Sequence, residues 1–144
     1  MKVFLDTNVL ASAAATRGLC ADVLREVFAS HELVVSKYML EELERVLSEK
    51  FKLPRVLIEE YIWLLHQDTI MAGEADPPPI EAKDKSDVPI VGAAMQANAD
   101  VLITGDSELQ KLSRVEQLVV LSPRGFWNKL KAHDSAADAD KPSC

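Results

Sequence analysis

Met1-Lys2-Val3-Phe4-Leu5-Asp6-Thr7-Asn8 opens the chain with an apolar run of strand formers that stops at an acid and continues into two polar residues. Such a run reads as a buried strand that delivers a carboxylate to its own end. A carboxylate in that position is costly unless something compensates its charge, so Asp6 needs partners. Three later segments each bring a further acid to an element terminus or to the border of a buried helix face, at Glu42, Asp87 and Asp106.

The segments between these acids alternate strand and helix patterns. Val9 to Ala15 reads as a short Ala-rich helix with Asn8 as its N-cap, and Val23, Leu24, Val27 and Phe28 recur at helical spacing after the break at Thr16-Arg17-Gly18. Leu33-Val34-Val35 is a second strand, and Ser36 is placed to cap the helix after it. In that helix Met39, Leu40, Leu43, Val46 and Leu47 define the apolar face. Glu41 falls nearly opposite that face, while Glu42 and Glu44 fall on its two borders, and spacing alone does not separate those two.

Pro54 opens another helix, whose core-facing side is predicted as Val56, Leu57, Tyr61, Leu64 and Leu65. Thr69-Ile70-Met71 is a weak third strand, and Gly73 to Ser86, with Pro77-Pro78-Pro79, reads as an extended loop. Asp87-Val88-Pro89 starts a helix with Val88, Val91 and Met95 on its buried side. Val101-Leu102-Ile103-Thr104 is a strand ending in Gly105-Asp106, Leu118 to Leu121 is the fifth, and Ser122-Pro123 starts a last helix containing Phe126, Trp127 and Leu130. The alternation predicts a three-layer α/β/α sandwich around a mainly parallel sheet of about five strands. Residues 1–131 are expected to form a single domain, and the Asp-, Ala- and Ser-rich residues 132–144 a flexible C-terminal tail.

Composition narrows the function classes. At 48% hydrophobic and 27% charged residues the chain is an ordinary globular protein, with no apolar run of membrane-spanning length. Asp6 interrupts any signal-like segment, and Cys20 and Cys144 match neither a metal spacing nor a disulfide framework, so a reducing cytoplasm is expected. A net charge of −7 runs against nucleic-acid binding, which calls for basic surface. Four clustered acids and an acidic tail account for most of that excess, leaving a scaffold close to neutral.

Clustered carboxylates repel one another unless a cation compensates them, and Mg²⁺ or Mn²⁺ favours such oxygen ligands. A metal held this way lowers the pKa of bound water and stabilises an in-line displacement at phosphorus. The chain offers no competing chemistry: it has no Cys/His cluster, no Gly-rich phosphate loop, and its histidines are scattered at 31, 66 and 133. Taken singly, each acid also has a plainer role. Asp6, Asp87 and Asp106 can each cap a helix, Glu42 can simply face solvent, and Asp84 suits a solvated loop.

Leu5-Asp6-Thr7-Asn8-Val9-Leu10, Ser36 with Glu42-Leu43, Asp84-x-x-Asp87 leading into Ala94, and Ala99-Asp100-Val101-Leu102-Ile103-Thr104-Gly105-Asp106 together resemble a PIN domain. The match in order and spacing runs from Val3 to about Leu130 and includes Ser122-Pro123-Arg124-Gly125-Phe126. It is most similar to the small single-domain PIN toxins of VapBC-type toxin–antitoxin pairs. The resemblance implies that Asp6, Glu42, Asp87 and Asp106 form the catalytic, metal-binding quartet, which selects Glu42 over Glu44. It implies that Asn8 supports Asp6 and that Thr104 is the hydroxyl residue before the last acid. Implied with these are Mg²⁺- or Mn²⁺-dependent cleavage of single-stranded RNA by metal-activated water, leaving 5′-phosphate and 3′-hydroxyl ends. A homodimer, and inhibition by a small antitoxin whose tail occupies the acidic groove, are also implied. Pro89 departs from the acidic or polar residues many members carry after Asp87.

Lys83 and Lys85, with Arg45, Lys50, Lys52 and Arg55 farther along, are candidate phosphate contacts; solvated surface charge is the plainer reading of each. Other classes fit less well. A phosphoryl-accepting receiver would need a lysine after the fifth strand, where Ser122-Pro123-Arg124 stands, and an aspartyl-nucleophile phosphatase would want an acid at Asn8. The remaining alternative is a non-catalytic RNA- or protein-binding module of the same fold.

Overall fold

The computed structural model describes residues 1–67, 69–72 and 88–140. The extended loop expected over Gly73 to Ser86 lies outside them, as do Asp84, Asp87, Lys83 and Lys85. The chain begins with β1 (Lys2–Leu5), α1 (Thr7–Ala15), α2 (Leu19–Ser30), β2 (Glu32–Ser36), α3 (Lys37–Glu49), α4 (Arg55–Gln67) and β3 (Thr69–Ala72). It continues with α5 (Val88–Gln96), β4 (Val101–Ile103), α6 (Ser107–Gln110), β5 (Arg114–Val115), β6 (Leu118–Leu121) and α7 (Pro123–Asp140).

The sheet order is β3-β2-β1-β4-β6-β5. The five strands expected from sequence all run parallel to one another, and helices flank the sheet as an α/β/α sandwich requires. A sixth strand, β5, pairs antiparallel with β6 through Arg114↔Val119 and Val115↔Leu118. The hairpin turn between them puts Glu116 at φ 54, a conformation in which glycine is the usual residue, so no Gly or Asn marks the turn in the sequence.

β1 is central. Val3, Phe4 and Leu5 are wholly buried, as expected of a parallel strand covered on both faces, and each large side chain contributes about 1.5–3 kcal/mol by leaving water. Successive connections from β1 lead outward to β2 and then β3, after which the chain crosses back over to β4 on the other side of β1. The strand order therefore reverses between β1 and β4, and their carboxyl ends face a crevice of the kind in which open α/β sheets bind ligands.

Two local expectations are corrected. Helix α1 begins at Thr7 with Asp6 as its N-cap, earlier than a cap at Asn8 would give. On α4 the core-facing residues are Ile58 and Leu65, with Tyr61 and Ile62 partly buried, whereas Val56, Leu57 and Leu64 are 64, 51 and 43% exposed. That helix is apolar on two sides, with Trp63 also exposed, so spacing alone placed Tyr61 and Leu65 correctly but turned Val56, Leu57 and Leu64 inward and missed Ile58. Helix α7 spans Pro123–Asp140, which leaves the proposed extent of the domain, residues 1–131, untouched as an expectation.

Candidate functional site

The site is built where β1 and β4 end. The Asp6 N–H extends the sheet ladder to the Ile103 carbonyl at 2.9 Å, and its own carbonyl then accepts the Leu10 N–H at 3.0 Å to start α1. The side chain is thereby fixed at the boundary between the strand and helix, 5% exposed. It makes no capping bond to the helix; Oδ2 instead accepts the Thr104 hydroxyl at 2.6 Å.

Thr104 is the residue after β4 and is completely buried. Its N–H is held by the Leu121 carbonyl at 2.9 Å, and its Oγ1 accepts the Asp106 N–H at 3.0 Å. The hydroxyl has one proton to give, and the adjacent Asp6 carboxylate takes it. One side chain thus links both acids. Asp106 in turn caps α6, its Oδ1 accepting the Glu108 N–H at 2.8 Å.

Burial pushes the Asp6 carboxyl above its ordinary range. Donation from Thr104 and from the Thr7 N–H pulls the other way without cancelling it, and the negative charge of Asp106 raises it further. Beside it, the buried Thr7 hydroxyl oxygen has no hydrogen-bond partner among the described residues. Two oxygen ligands at a sheet switch point, one of them desolvated and repelled by the other, suit a hard divalent cation, which would remove both penalties.

Glu42 lies on α3, which leaves the carboxyl end of β2, the neighbour of β1 on the same sheet edge. Its side chain is 32% exposed and accepts Arg45 Nη2 at 2.7 Å. Glu44, the other border position, pairs with Arg55 of α4, and Glu41 is exposed. No hydrogen bond or ion pair joins Glu42 to Asp6 or Asp106, and no group of three His, Cys, Asp or Glu able to share a metal occurs among the described residues. Asp87 and the flanking Lys83 and Lys85 lie outside those residues. Asn8 is exposed in the first turn of α1 and makes no hydrogen bond to Asp6. Of the basic candidates, Arg45 is shared between Glu42 and Glu49, and Arg55 between Glu44 and Glu59.

One contact escaped the sequence reading. Gln110, in the last turn of α6, donates Nε2 to the Thr104 carbonyl at 2.8 Å. A glutamine at the end of a short polar helix carries no pattern from which such a bond follows.

The geometry has relatives among known proteins. The crystal structure of VapBC2 from Rickettsia felis, bound to a DNA fragment from its promoter, contains a chain similar to this one at a TM-score of 0.57 and 16% identity, covering 83% of this chain and 97% of that chain. The crystal structure of FitAcB from Neisseria gonorrhoeae gives 0.53 and 15%, with 85% and 98% covered. These similarities are of fold. No curated protein matches the sequence significantly. The model of the PIN domain matches residues 2–108, from β1 into the start of α6, and so spans Asp6, Thr104 and Asp106; the chain belongs to the PIN-domain family.

Proposed function

We propose that this protein is a metal-dependent endoribonuclease cleaving single-stranded RNA, and that it is the toxin of a toxin–antitoxin pair. The observation that carries the reading is the desolvated Asp6 carboxylate, held by Thr104 beside Asp106 at the point where the strand order reverses. Membership of the PIN-domain family supports it. In this reading Asp6, Glu42, Asp87 and Asp106 hold Mg²⁺ or Mn²⁺, and Asn8 assists Asp6. Such a cation supplies a lowered water pKa and neutralisation of charge at the scissile phosphate.

The chain's own contribution is placement. Thr104 fixes Oδ2 of Asp6, and the Glu108 N–H engages Oδ1 of Asp106, so each carboxylate is held by one oxygen. For Glu42 to join them its bond to Arg45 is exchanged, which leaves that guanidinium to Glu49 and to a phosphate. Lys83 and Lys85 are proposed as further backbone contacts. A small antitoxin as inhibitor, a homodimer and a cytoplasmic setting complete the proposal. The solved VapBC2 and FitAcB structures supply the fold parallel. Among the described residues no helix is long and apolar enough to cross a membrane.

Labelled single-stranded RNA incubated with the protein and Mn²⁺ should be cleaved, with EDTA abolishing cleavage and Asp6→Asn reducing it by more than about 100-fold, the upper end of what loss of a mere supporting contact costs. Equal cleavage by parent and variant, or cleavage indifferent to EDTA, would overturn the assignment. RNA binding without cleavage across a broad panel would instead favour the non-catalytic module.

A further inference from the structure

The turn that carries Asp106 is held from the Thr104 side by its N–H and hydroxyl, but the carbonyl of Thr104 needs a restraint of its own. β4 ends at Ile103, so the Thr104 carbonyl lies past the strand, on a residue that is wholly buried. A carbonyl there must find a donor or remain unpaired. The next residue, Gly105, is exposed and has no heavy atom within 4 Å of where a Cβ would stand. Glycine also leaves the backbone broad conformational freedom, so apart from the Asp106 N–H bond to the Thr104 hydroxyl no side chain at this position resists rotation of the Thr104–Gly105 peptide. Such a rotation would move the Asp106 N–H off the Thr104 hydroxyl and shift one carboxylate relative to the other.

Gln110 supplies the missing restraint. Its Nε2 reaches the Thr104 carbonyl at 2.8 Å, while its own backbone N–H donates to the Asp106 carbonyl at 3.0 Å. One residue therefore grips the turn on both sides of Gly105. The side chain is half-buried, which shields that bond from competing water.

We propose that Gln110 is a positioning residue, clamping the Thr104–Gly105–Asp106 turn so that the Asp106 carboxylate stays beside that of Asp6 to bind one divalent cation. The ion-binding half of this statement rests on the function proposed above; the clamp itself does not.

The test uses Gln110→Met, which keeps length and bulk but has no donor, with Gln110→Ala as a second variant and Lys111→Met as a control on a neighbouring exposed residue. Hydrogen exchange of the Asp106 amide, measured by NMR in metal-free protein, should accelerate about tenfold in both Gln110 variants. Mn²⁺ affinity, measured by calorimetry without RNA, should fall by about tenfold, in the range found when supporting contacts to metal ligands are removed. Lys111→Met should change neither. Unchanged exchange overturns the clamp. Accelerated exchange with unchanged Mn²⁺ affinity overturns its role at the ligands, because a merely structural bond would behave that way. A parent protein that binds no Mn²⁺ overturns the ion-binding half together with the proposed function, and the exchange data still decide the clamp.

Discussion

The Thr104 hydroxyl donates to Asp6 Oδ2 at 2.6 Å, joining the ends of two adjacent parallel strands across 98 residues of sequence. Because the same oxygen accepts the Asp106 N–H, it is the hinge on which both acids are set.

Thr104→Val keeps the shape and removes that hinge. It leaves a buried carboxylate without its strongest donor and the Asp106 N–H without an acceptor. Stability should fall by about 2–3 kcal/mol, read from the midpoint of urea denaturation. Thr104→Ser should recover most of the loss.

Asp6→Asn should make the metal-free protein more stable at neutral pH while abolishing its proposed activity. Burial holds the folded-state pKa of Asp6 above its ordinary 3.8, so the folded chain binds this proton more tightly than the unfolded chain does. The resulting stabilisation is fully present below 3.8 and is lost as the pH rises through the raised folded value. Denaturation of both proteins in EDTA between about pH 3.5 and about pH 7 checks this: the advantage of the variant should grow with pH. A variant less stable than the parent at neutral pH would contradict it.

Ser36→Ala removes the hydroxyl that accepts the Met39 N–H at 3.1 Å and starts the helix bearing Glu42. The loss should be about 1 kcal/mol by chemical denaturation. If α3 also frays at its first turns, amide exchange there will rise before global unfolding.

Tyr61 anchors α4 to α1, its hydroxyl donating to the Leu10 carbonyl at 2.9 Å, and burial holds its phenol well above the ordinary range. Tyr61→Phe should cost about 1 kcal/mol, or about 3 °C in thermal unfolding, because that helix carbonyl loses only one of its acceptor interactions. Mn²⁺ binding should be unaffected, the contact being made away from the acids.

How far the sequence alone carried these conclusions varied with the kind of signal. The parallel strands and the acids after β1 and β4 were legible because an unbroken apolar run that stops at an acid fits little besides a buried strand with a carboxylate at its end. α4 was misread in part because it is apolar on two sides: Leu65 was legible as core-facing, but only packing shows that Ile58 faces inward while Val56 and Leu57 do not. β5 was invisible because a two-residue strand has no periodicity and its turn places a glutamate where glycine is expected. Glu42 and Glu44 were equivalent by spacing, and only the family resemblance chose between them; in the fold Glu44 pairs with an arginine of the next helix and Glu42 with one on its own. The Gln110 bond depends on where a turn happens to end, which no residue pattern encodes.

The central place of β1 also bears on how the protein is made. Its residues leave the ribosome before those of the other five strands, yet their partner on one side, β4, lies 98 residues farther along, as Val3↔Val101 shows. Pairing over such a distance forms late, because the intervening chain must be ordered before it can close. Asp6 therefore stays apart from Asp106 throughout most of synthesis, and a nascent or truncated chain ending before β4 lacks half of the paired acids. Any activity these carboxylates support is confined by topology to molecules that have been completed through α6.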